Sequence, residues 1–291
     1  MPITNNHRLP EFVVDALTYD TYSRGESDIS VTQLIDSPRV SLLQTEHADE
    51  IDRDAVDFLW SRFGTSVHEM FEKSVSDDEY VTEERLFHKI DDWTISGAID
   101  LQHIHKDGIA VADYKVTSVW SVIFDKQEWH KQLNCYAWLV RKAKQVPVKS
   151  LSIVAILRDW NRRKSEESAD YPESPITIVN IPMWSESDQD QYVFDRLNEH
   201  QLAYFQSVSG GDLPECSDDE RWKKGDKYAV MGSGKRAIRV LNSLEEAEEY
   251  SSALDQKTRV EHRVGESTRC IQNWCNVNEW CDQFQGGNQN G

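Results

Sequence analysis

The sequence predicts a mixed α/β protein, in which a central mixed sheet is flanked by helices and followed by a small C-terminal module that contains cysteines. Three observations support this class. Long segments at 54–74, 125–144 and 185–207 have the apolar spacing or the capping of helices. Short runs typical of strands lie between them. Near residue 210 the composition changes, and three of the five cysteines crowd the end of the chain after that point.

The first part of the chain contains two helix signals and three strand signals. Pro38 suits the first turn of a helix that Ser37 caps. The helix at 54–74 carries an apolar stripe formed by Val56, Leu59, Trp60, Phe63, Val67 and Phe71. Three short consecutive strand candidates follow, bounded by Asp or Gly turns, and an antiparallel meander is their simplest arrangement: 80–88, 93–104 and 108–116.

Further along the chain, the continuous apolar run at 151–157 predicts a strand that is covered on both faces. A second strand is expected at 176–181, after an exposed loop or hairpin. Residues 226–240 have the pattern of a hairpin. A helix at 244–254 is expected to begin with a capping box of Ser243 and Glu246, and a short strand, TRVEHRV, leads from it to the cysteines.

The chain thus divides into three predicted segments: a loose N-terminal segment at 1–28, a core at 29–210, and a C-terminal module at 211–291 with the hairpin, the helix and the cysteine cluster. No apolar run approaches the roughly 18 residues that a membrane span needs. The first residues lack the layout of a secretory signal. We therefore expect a soluble, cytoplasmic protein without a membrane partner, located in the bacterial host cell if a phage encodes it.

The net charge of −19 argues against indiscriminate binding to DNA. The charge is uneven, however, because the stretch from Lys115 to Lys164 holds eleven Lys and Arg residues against three acids. Such a stretch is typical of a localised phosphate-binding groove or of a solvated helix face, and both interpretations stay open. Four tryptophans are interleaved with these cations. Aromatic rings can stack on unpaired bases, although most of the four are expected in the core: Trp120, Trp129, Trp138 and Trp160.

Candidate catalytic residues lie on two adjacent predicted strands. Side chains alternate along a strand, so Asp113 and Lys115 project to one face. A lone pair of this kind is more often a plain ion pair. Asp100 lies on the preceding strand, however, and pairing of the two strands places it beside Asp113. Two adjacent carboxylates repel each other unless something positive lies between them, and a hard divalent cation has that effect.

This arrangement suits the hydrolysis of a phosphodiester. A metal ion polarises the phosphoryl oxygen and generates hydroxide from water near neutral pH. Lys115 would orient that water or stabilise charge in the transition state. His68, on the helix at 54–74, would complete the metal shell or position the water, although an isolated histidine on a helix is more often structural.

The order of these motifs resembles the PD-(D/E)XK nucleases, and more closely their RecB- and Cas4-like branch, which includes many phage exonucleases. Gly64 and His68 form G-x-x-x-H, then follow GAID and D-x-K, and finally Q-x-x-x-Y. The resemblance covers roughly residues 30–210 and implies a restriction-endonuclease-like α+β core. It implies Mg²⁺ or Mn²⁺ held by His68, Asp100, Asp113 and the backbone carbonyl of Tyr114.

The same resemblance implies roles for further residues. Lys115 corresponds to the catalytic lysine, and Gln132 and Tyr136 would lie near the DNA. Glu84, on the strand before Asp100, is a lesser candidate for a supporting acid, and a surface carboxylate is the more frequent situation at such a position.

The C-terminal cysteines form the pattern Cys-x4-Cys-x5-Cys with Cys270, Cys275 and Cys281, and Cys216 is a plausible fourth ligand. Four thiolates suit a [4Fe–4S] cluster or a structural zinc ion, and plain buried thiols are the third possibility. Iron–sulfur nucleases of the branch have a similar C-terminal triplet plus an early cysteine before Pro-Arg. Here Ser37 occupies that early place. Cys135 is expected to be a core thiol.

The predicted function is a Mg²⁺- or Mn²⁺-dependent exonuclease that hydrolyses DNA from its ends, in phage or bacterial recombination or repair. Two alternatives stay open: a structure-specific or restriction-like endonuclease, and a non-catalytic DNA-binding module that keeps the fold. Family analogy also suggests a single-strand annealing protein as a partner.

Overall fold

The computed structural model describes residues 3–19, 23–75 and 77–288. Its helices in chain order are α1 (Glu11–Thr18), α2 (Val31–Ile35), α3 (Pro38–Glu46), α4 (Leu59–Glu72), α5 (Val119–Ile123), α6 (Gln127–Lys144), α7 (Arg162–Glu167), α8 (Glu186–Ser209), α9 (Leu244–Ser252), α10 (Thr268–Ile271) and α11 (Asp282–Asn288). Short 3-10 turns cover Ala55–Phe58 and Asn278–Trp280.

The strands are β1 (Ile3–Thr4), β2 (Ile29–Ser30), β3 (Arg53–Asp54), β4 (Tyr80–Ile90), β5 (Trp93–His105), β6 (Gly108–Thr117), β7 (Val148–Leu157), β8 (Ile176–Ile181), β9 (Lys227–Met231), β10 (Ala237–Leu241) and β11 (Arg259–Arg263). Helices and strands alternate through the chain, and helices flank a mixed sheet. The predicted α/β class is therefore confirmed.

The main sheet, among the described residues, has six strands in the order β2-β5-β6-β7-β8, with β4 paired to the other edge of β5. Strands β4, β5 and β6 form the predicted antiparallel meander. Strand β7 runs parallel to β6, because helix α6 carries the chain back across the sheet between them. Strand β8 closes this edge in antiparallel pairing with β7.

Strand β5 is paired unevenly along one edge, and this creates the space for the site. Its start pairs with β2 at Ile95 and Ser96. Its pairing with β6 begins only at Leu101, opposite Ala112. Residues 97–100 therefore have a strand neighbour on the β4 side alone. Main-chain groups on the open side of this segment are left for side chains or ligands to satisfy.

Helix α6 packs closely against the sheet beside this opening. Its buried side chains include Leu133 and Leu139 in the hydrophobic core. A Cβ atom at Gly97 would lie only 2.9 Å from a ring carbon of Tyr136. Glycine at this position therefore permits the close approach of strand and helix, and that approach positions the polar side chains of α6 at the opening.

Helix α4 differs from its predicted apolar pattern. Val67 is buried and Phe71 packs against Tyr114 of β6, with ring centroids 4.7 Å apart and ring planes tilted by 30°. Leu59, Trp60 and Phe63, from the same predicted stripe, are about half exposed. Only the C-terminal part of the stripe faces the core, because the contacts of α4 with β6 involve that part of the helix.

The chain forms two compact units: residues 1–38 with 49–211, and residues 39–48 with 212–291. In the second unit, strands β10, β9 and β11 form an antiparallel sheet on which α9 packs. The predicted hairpin and the predicted cap of α9 by Ser243 are both present. Residues 39–48, which the sequence assigns to the core segment, belong to this unit.

The N-terminal stretch also differs from expectation. Within the segment predicted to be loose, residues 11–18 form helix α1, and β1 pairs in parallel with β3. Residues 1, 2 and 20–22 of that segment lie outside the described residues. Across the described ranges, none of the helices combines the length and the hydropathy that crossing a bilayer requires.

Candidate active site

Two buried carboxylates meet where β5 and β6 separate. Asp100 lies on β5 and Asp113 on β6, and they are 6% and 1% exposed. The register Leu101 to Ala112, extended by one residue, sets them opposite each other. The strands no longer pair there, and the backbone N–H of Tyr114 donates to Oδ2 of Asp100 at 2.7 Å. The Asp100 side chain thus replaces the missing strand contact.

Lys115 lies two residues after Asp113 and on the same face of β6. Its Nζ is 2.6 Å from Oδ2 of Asp113. On the other side, Nε2 of Gln132 donates to Oδ1 of Asp113 at 3.3 Å and to the hydroxyl of Tyr136 at 2.9 Å. Gln132 and Tyr136 are buried in the wall of the site. Their contact with DNA stays a prediction. Gln132 contacts the Asp113 carboxylate directly, and Tyr136 is linked to that carboxylate through Gln132.

Helix α4 brings His68 to the same place. Its Nε2 lies 3.2 Å from the backbone oxygen of Tyr114. Its Nδ1 lies 3.6 Å from Oδ1 of Asp100 and 3.3 Å from Oε1 of Glu83. The five residues that carry the predicted chemistry, including Tyr114 through its backbone carbonyl, therefore converge although they come from one helix and two strands.

Glu83 was missed by sequence reasoning, which favoured its neighbour Glu84. The register of β4 with β5 aligns Thr82 with Leu101 and Glu84 with Ile99, so Glu83 lies level with Asp100. Consecutive strand residues point to opposite faces. Glu84 accordingly forms an ion pair with Lys144 and accepts a hydrogen bond from Gln102 at 2.7 Å, away from His68.

The backbone at Glu83 is unusual, since its φ of 50° lies in the left-handed region. Residues other than glycine seldom adopt this region and do so at a cost in free energy. The strain falls at the point where the Glu83 carboxylate turns toward His68. Strict alternation along a regular strand gives no indication of such a turn in the sequence.

Burial and charge shift the pKa values of the site together. Burial, reinforced by the nearby charge of Asp113, raises the pKa of Asp100 to about 8. Burial alone lowers the pKa of Lys115, but the carboxylates of Asp113 and Asp100 outweigh it, and the net shift is upward. Burial by itself lowers the pKa of His68. The nearby carboxylates of Glu83 and Asp100 outweigh this effect, and the net shift of the His68 pKa is upward.

These residues fit a divalent metal ion. Single donor atoms of His68, Glu83 and Asp100 all lie within 4.8 Å of one another. Oδ2 of Asp113 is buried and accepts no hydrogen bond of good geometry from the described residues, despite its close contact with Lys115. Carboxylate oxygens, a backbone carbonyl and one imidazole suit Mg²⁺ or Mn²⁺. The site therefore contains the donors for a metal ion, one of them a buried carboxylate oxygen that accepts no hydrogen bond of good geometry from the described residues.

The sequence profile of the PD-(D/E)XK nuclease superfamily matches residues 38–282, most of the chain. The chain belongs to this superfamily. The match includes all four predicted catalytic and metal-binding side chains, and it extends through the cysteine triplet at the C-terminus. The finer RecB- and Cas4-like assignment stays a prediction.

Two solved structures are similar to this nuclease-superfamily chain. One is the crystal structure of SSO0001, with 18% identity over 65% of this chain and 84% of that chain, at a TM-score of 0.43. The other is a candidate exonuclease from Eubacterium rectale, with 14% identity over 81% of this chain and 82% of that chain, at a TM-score of 0.30. No protein of curated function matches the chain.

The candidate site opens into a cavity of about 690 Å³. One wall is the face of α4 that carries Ser61, Gly64 and His68, and another is α6 with Gln132. Both signs of charge line the cavity, as Arg62 and Arg85 accompany Glu69 and Glu72. The volume is within the range of ligand-binding pockets.

The second unit of the nuclease chain contains a separate cavity of about 190 Å³, and all four predicted cysteine ligands line it: Cys216, Cys270, Cys275 and Cys281. The described cysteines form no disulfide. Among the described residues, no three of the four sulfur atoms lie within 4.8 Å of one another. Cys135 is buried in the core of the first unit, and burial raises its pKa to about 12, as expected for an inert core thiol.

Arg39 borders the cysteine cavity, although sequence reasoning assigned it no role. Its side chain is nearly fully buried and forms an ion pair with Asp282. Its Nη1 lies 3.9 Å from Sγ of Cys281, and its Nε donates to the backbone oxygen of Pro214. Helix α3 thus supplies a buried cation to a cavity lined by thiols.

Proposed function

We propose that this protein is a metal-dependent deoxyribonuclease that removes nucleotides from the ends of DNA. The observation that carries the proposal is the convergence of His68, Asp100, Asp113 and Lys115 at one cavity. Superfamily membership supports the coarser function, a nuclease. Action at ends, and a role in recombination or repair, are the finer parts of the proposal.

His68, Glu83, Asp100 and Asp113 would hold the metal ion, together with the backbone oxygen of Tyr114. When bound, the ion polarises the scissile phosphate and lowers the pKa of a bound water. The raised pKa of Asp100 affects the binding of the metal ion. A proton occupies this carboxyl near neutral pH, and the carboxyl must lose it to become a ligand.

Lys115 acts as a cation in this proposal. Its raised pKa keeps the ammonium protonated at neutral pH, so it donates hydrogen bonds and does not serve as a general base. An ammonium 2.6 Å from Asp113 is well placed to contact a phosphate or a water beside that carboxylate. Charge that develops on the phosphate during hydrolysis is stabilised by such a fixed donor.

Gln132 has a positioning role. Its amide nitrogen bridges Asp113 and the Tyr136 hydroxyl, and both helix residues are held in place by the packing of α6 on Gly97. This bridge restrains the Asp113 carboxylate through Oδ1. The other oxygen, Oδ2, is then available to Lys115 and to a metal ion.

The test is digestion of linear DNA labelled at either the 5′ or the 3′ end. We expect release of labelled nucleotides with Mg²⁺ or Mn²⁺, no release in EDTA, and no cutting of covalently closed circles. Asp113→Ala should abolish release while the thermal midpoint shows that the variant is folded. Cutting of closed circles would assign an endonuclease, and DNA binding without hydrolysis under any metal condition would contradict an enzymatic function.

We also propose that the four cysteines of the second unit hold an iron–sulfur cluster. In a tetrahedral zinc site the sulfurs lie about 3.8 Å apart, since each Zn–S bond is about 2.3 Å. In a [4Fe–4S] cluster each thiolate binds a different iron, so the sulfurs lie farther apart. Among the described residues, no three of these four sulfurs lie within 4.8 Å of one another, and this supports an iron–sulfur cluster over a zinc ion. The buried Arg39 would offset part of the negative charge of such a cluster.

Anaerobic purification followed by visible spectroscopy and metal analysis tests this second proposal. We expect broad visible absorption from an iron–sulfur centre, together with iron and acid-labile sulfide. A colourless protein with one equivalent of zinc would contradict it, and so would a colourless protein without metal after anaerobic handling and reconstitution.

A further inference from the structure

Four exposed aromatic side chains surround the end of β6 that carries the catalytic lysine. Trp60 and Phe63 lie on α4, and Trp120 and Phe124 lie on α5, with 53%, 45%, 52% and 74% of their surfaces exposed. We refer to these four residues as the aromatic rim. Large aromatic rings are usually buried, and a group of exposed ones marks a binding surface.

The position of the rim follows from main-chain and side-chain contacts. Thr117, two residues beyond Lys115, donates its hydroxyl to Ser121 of α5 at 2.7 Å. Its backbone oxygen accepts a hydrogen bond from the N–H of Arg158 at 3.0 Å. The Arg158 guanidinium lies 4.5 Å from the ring centre of Trp60. Two residues of a strand span about 7 Å, so Ser121 and the backbone of Arg158 lie near Lys115, and the Arg158 side chain connects this region to Trp60.

The rings within each half are held near each other. The planes of Trp120 and Phe124 are 17° apart, with centroids separated by 5.5 Å. Trp60 and Phe63 meet edge to face at 6.3 Å. Aromatic rings held in this manner can stack on nucleobases, and such stacking depends little on base identity because every base has a π-face.

Charge around the rim favours a polyanion. Arg158 stacks on Trp60, and Arg62 lies between Trp60 and Phe63 in sequence and lines the active-site cavity. Trp120 and Phe124 belong to the basic stretch of Lys115 to Lys164. The other tryptophans of that stretch serve the fold: Trp129 and Trp138 are buried, and Trp160 donates to the backbone oxygen of Pro172.

We propose that the aromatic rim binds the unpaired bases of single-stranded DNA and guides a strand end into the active site. The proposal rests on the nuclease function proposed above and adds strand preference to it. Bases in a duplex are already paired and stacked, so their faces are inaccessible to the rim. A single-stranded or frayed end presents those faces, while its phosphates contact the arginines beside the rings.

The experiment measures binding without hydrolysis. Fluorescence anisotropy in EDTA compares a labelled oligothymidine with a labelled hairpin duplex of equal nucleotide number, at fixed salt. For the double variant Trp60→Ala, Trp120→Ala we expect at least a tenfold loss of affinity for the single strand and less than a twofold change for the duplex. Trp274→Ala is the matched control, because Trp274 is 66% exposed in the second unit, and it should change neither affinity.

A second readout uses the same rings. Oligothymidine should quench the intrinsic fluorescence of the wild type, and the double variant should lose most of this quenching while keeping its circular dichroism spectrum. The proposal would be overturned if the double variant lost affinity equally for the single strand and the duplex, or lost affinity for neither. A change in oligomeric state with unchanged DNA affinity would also overturn it, by assigning the rim to a protein contact.

The two proposals fail separately. Binding in EDTA reports the rim whether or not the protein hydrolyses DNA, and Asp113→Ala should bind oligothymidine with wild-type selectivity. If the wild type has no nuclease activity but the rim variant loses its preference for single strands, the role of the rim is supported and the nuclease proposal is contradicted. Full nuclease activity without a preference for single strands would support the nuclease proposal and contradict the role of the rim.

Discussion

The active-site cavity and the cysteine cavity differ in the type of their donor atoms and in how close together those atoms lie. In the first, oxygen and imidazole donors lie within 4.8 Å of one another. In the second, four cysteines line one cavity, but no three of their sulfurs in the described residues are equally close. The fold thus brings the hard donors to within 4.8 Å of one another, whereas the soft donors line a cavity without reaching that spacing.

The difference arises from the elements that carry the donors. Asp100 and Asp113 lie on neighbouring strands, whose spacing and register are set by backbone hydrogen bonds. Cys270, Cys275 and Cys281 lie on α10 and on irregular segments around a short 3-10 turn. Contacts with α3 and with the residue that follows it hold this region, among them the stacking of His47 on Trp280 at 4.4 Å. Side chains on such segments have fewer backbone constraints.

The largest expected effect separates metal binding from chemistry at the active site. Lys115→Gln removes the ammonium beside Asp113, and we expect about a 100- to 1000-fold loss of hydrolysis, as for removal of one fixed transition-state donor. Stabilisation by Mg²⁺ should persist, because every proposed metal ligand is intact. End-release rates and thermal midpoints measure the two properties. Lys149→Gln is the control, since Lys149 pairs with Asp107 at the surface. A Lys115→Gln enzyme that keeps over a tenth of wild-type activity would contradict the role proposed for Lys115.

The next effect concerns the cysteine cavity. Cys275→Ser should lower the free energy of unfolding by about 2 kcal/mol or more and should remove the visible absorption of the cluster, because one buried ligand is lost. Chemical denaturation and spectroscopy check this. Cys135→Ala is the matched control: a buried thiol of the first unit is removed, and the absorption should stay. Equal spectra in all three proteins would show that no cluster depends on Cys275.

A smaller effect compares two adjacent glutamates. Glu83→Gln should raise the Mg²⁺ concentration for half-maximal activity by about tenfold, since one donor near His68 loses its charge. Glu84→Gln should leave this concentration unchanged, because Glu84 faces Lys144 and Gln102. Metal titrations of both variants decide between them. The opposite order of effects would restore Glu84 as the supporting acid.

The smallest effect is a pH dependence of metal binding. The folded-state pKa of Asp100 is about 8, above that of an unfolded aspartate, so the metal-free fold retains a proton that the unfolded chain releases. The contribution of Asp100 to stability therefore falls as pH rises from about 4 to about 8. Metal binding displaces this proton, so Mg²⁺ affinity should rise by less than tenfold per pH unit between pH 6.5 and 8 and then level off.

Calorimetric or thermal-shift titrations with Mg²⁺ at several pH values measure this trend. The upward-shifted pKa of His68 acts in the same direction. Glu84→Gln should show the wild-type slope. An affinity that does not change between pH 6.5 and 8 would place the Asp100 proton elsewhere or remove Asp100 from the ligand set.

Local sequence patterns predicted most of the helices and strands and which candidate catalytic residues would lie together. Hydrophobic periodicity located α4 and α6 and the meander β4–β6. Alternation along β6 placed Asp113 and Lys115 on one face, and the short turn at Gly108 brought Asp100 beside them. These inferences succeed because they depend on local geometry, which the pattern of a few residues specifies.

The remaining features depend on how the elements pack against one another. The choice of Glu83 over Glu84 depends on strand register and a left-handed backbone at one residue. The exposure of Trp60 and Phe63 depends on where α4 extends beyond the sheet. Arg39 reaches the cysteine cavity because α3 packs with residues more than 170 positions later in the chain. Contacts of such separation leave no periodic trace in the sequence, since they are set by packing between elements and not by propensity within one.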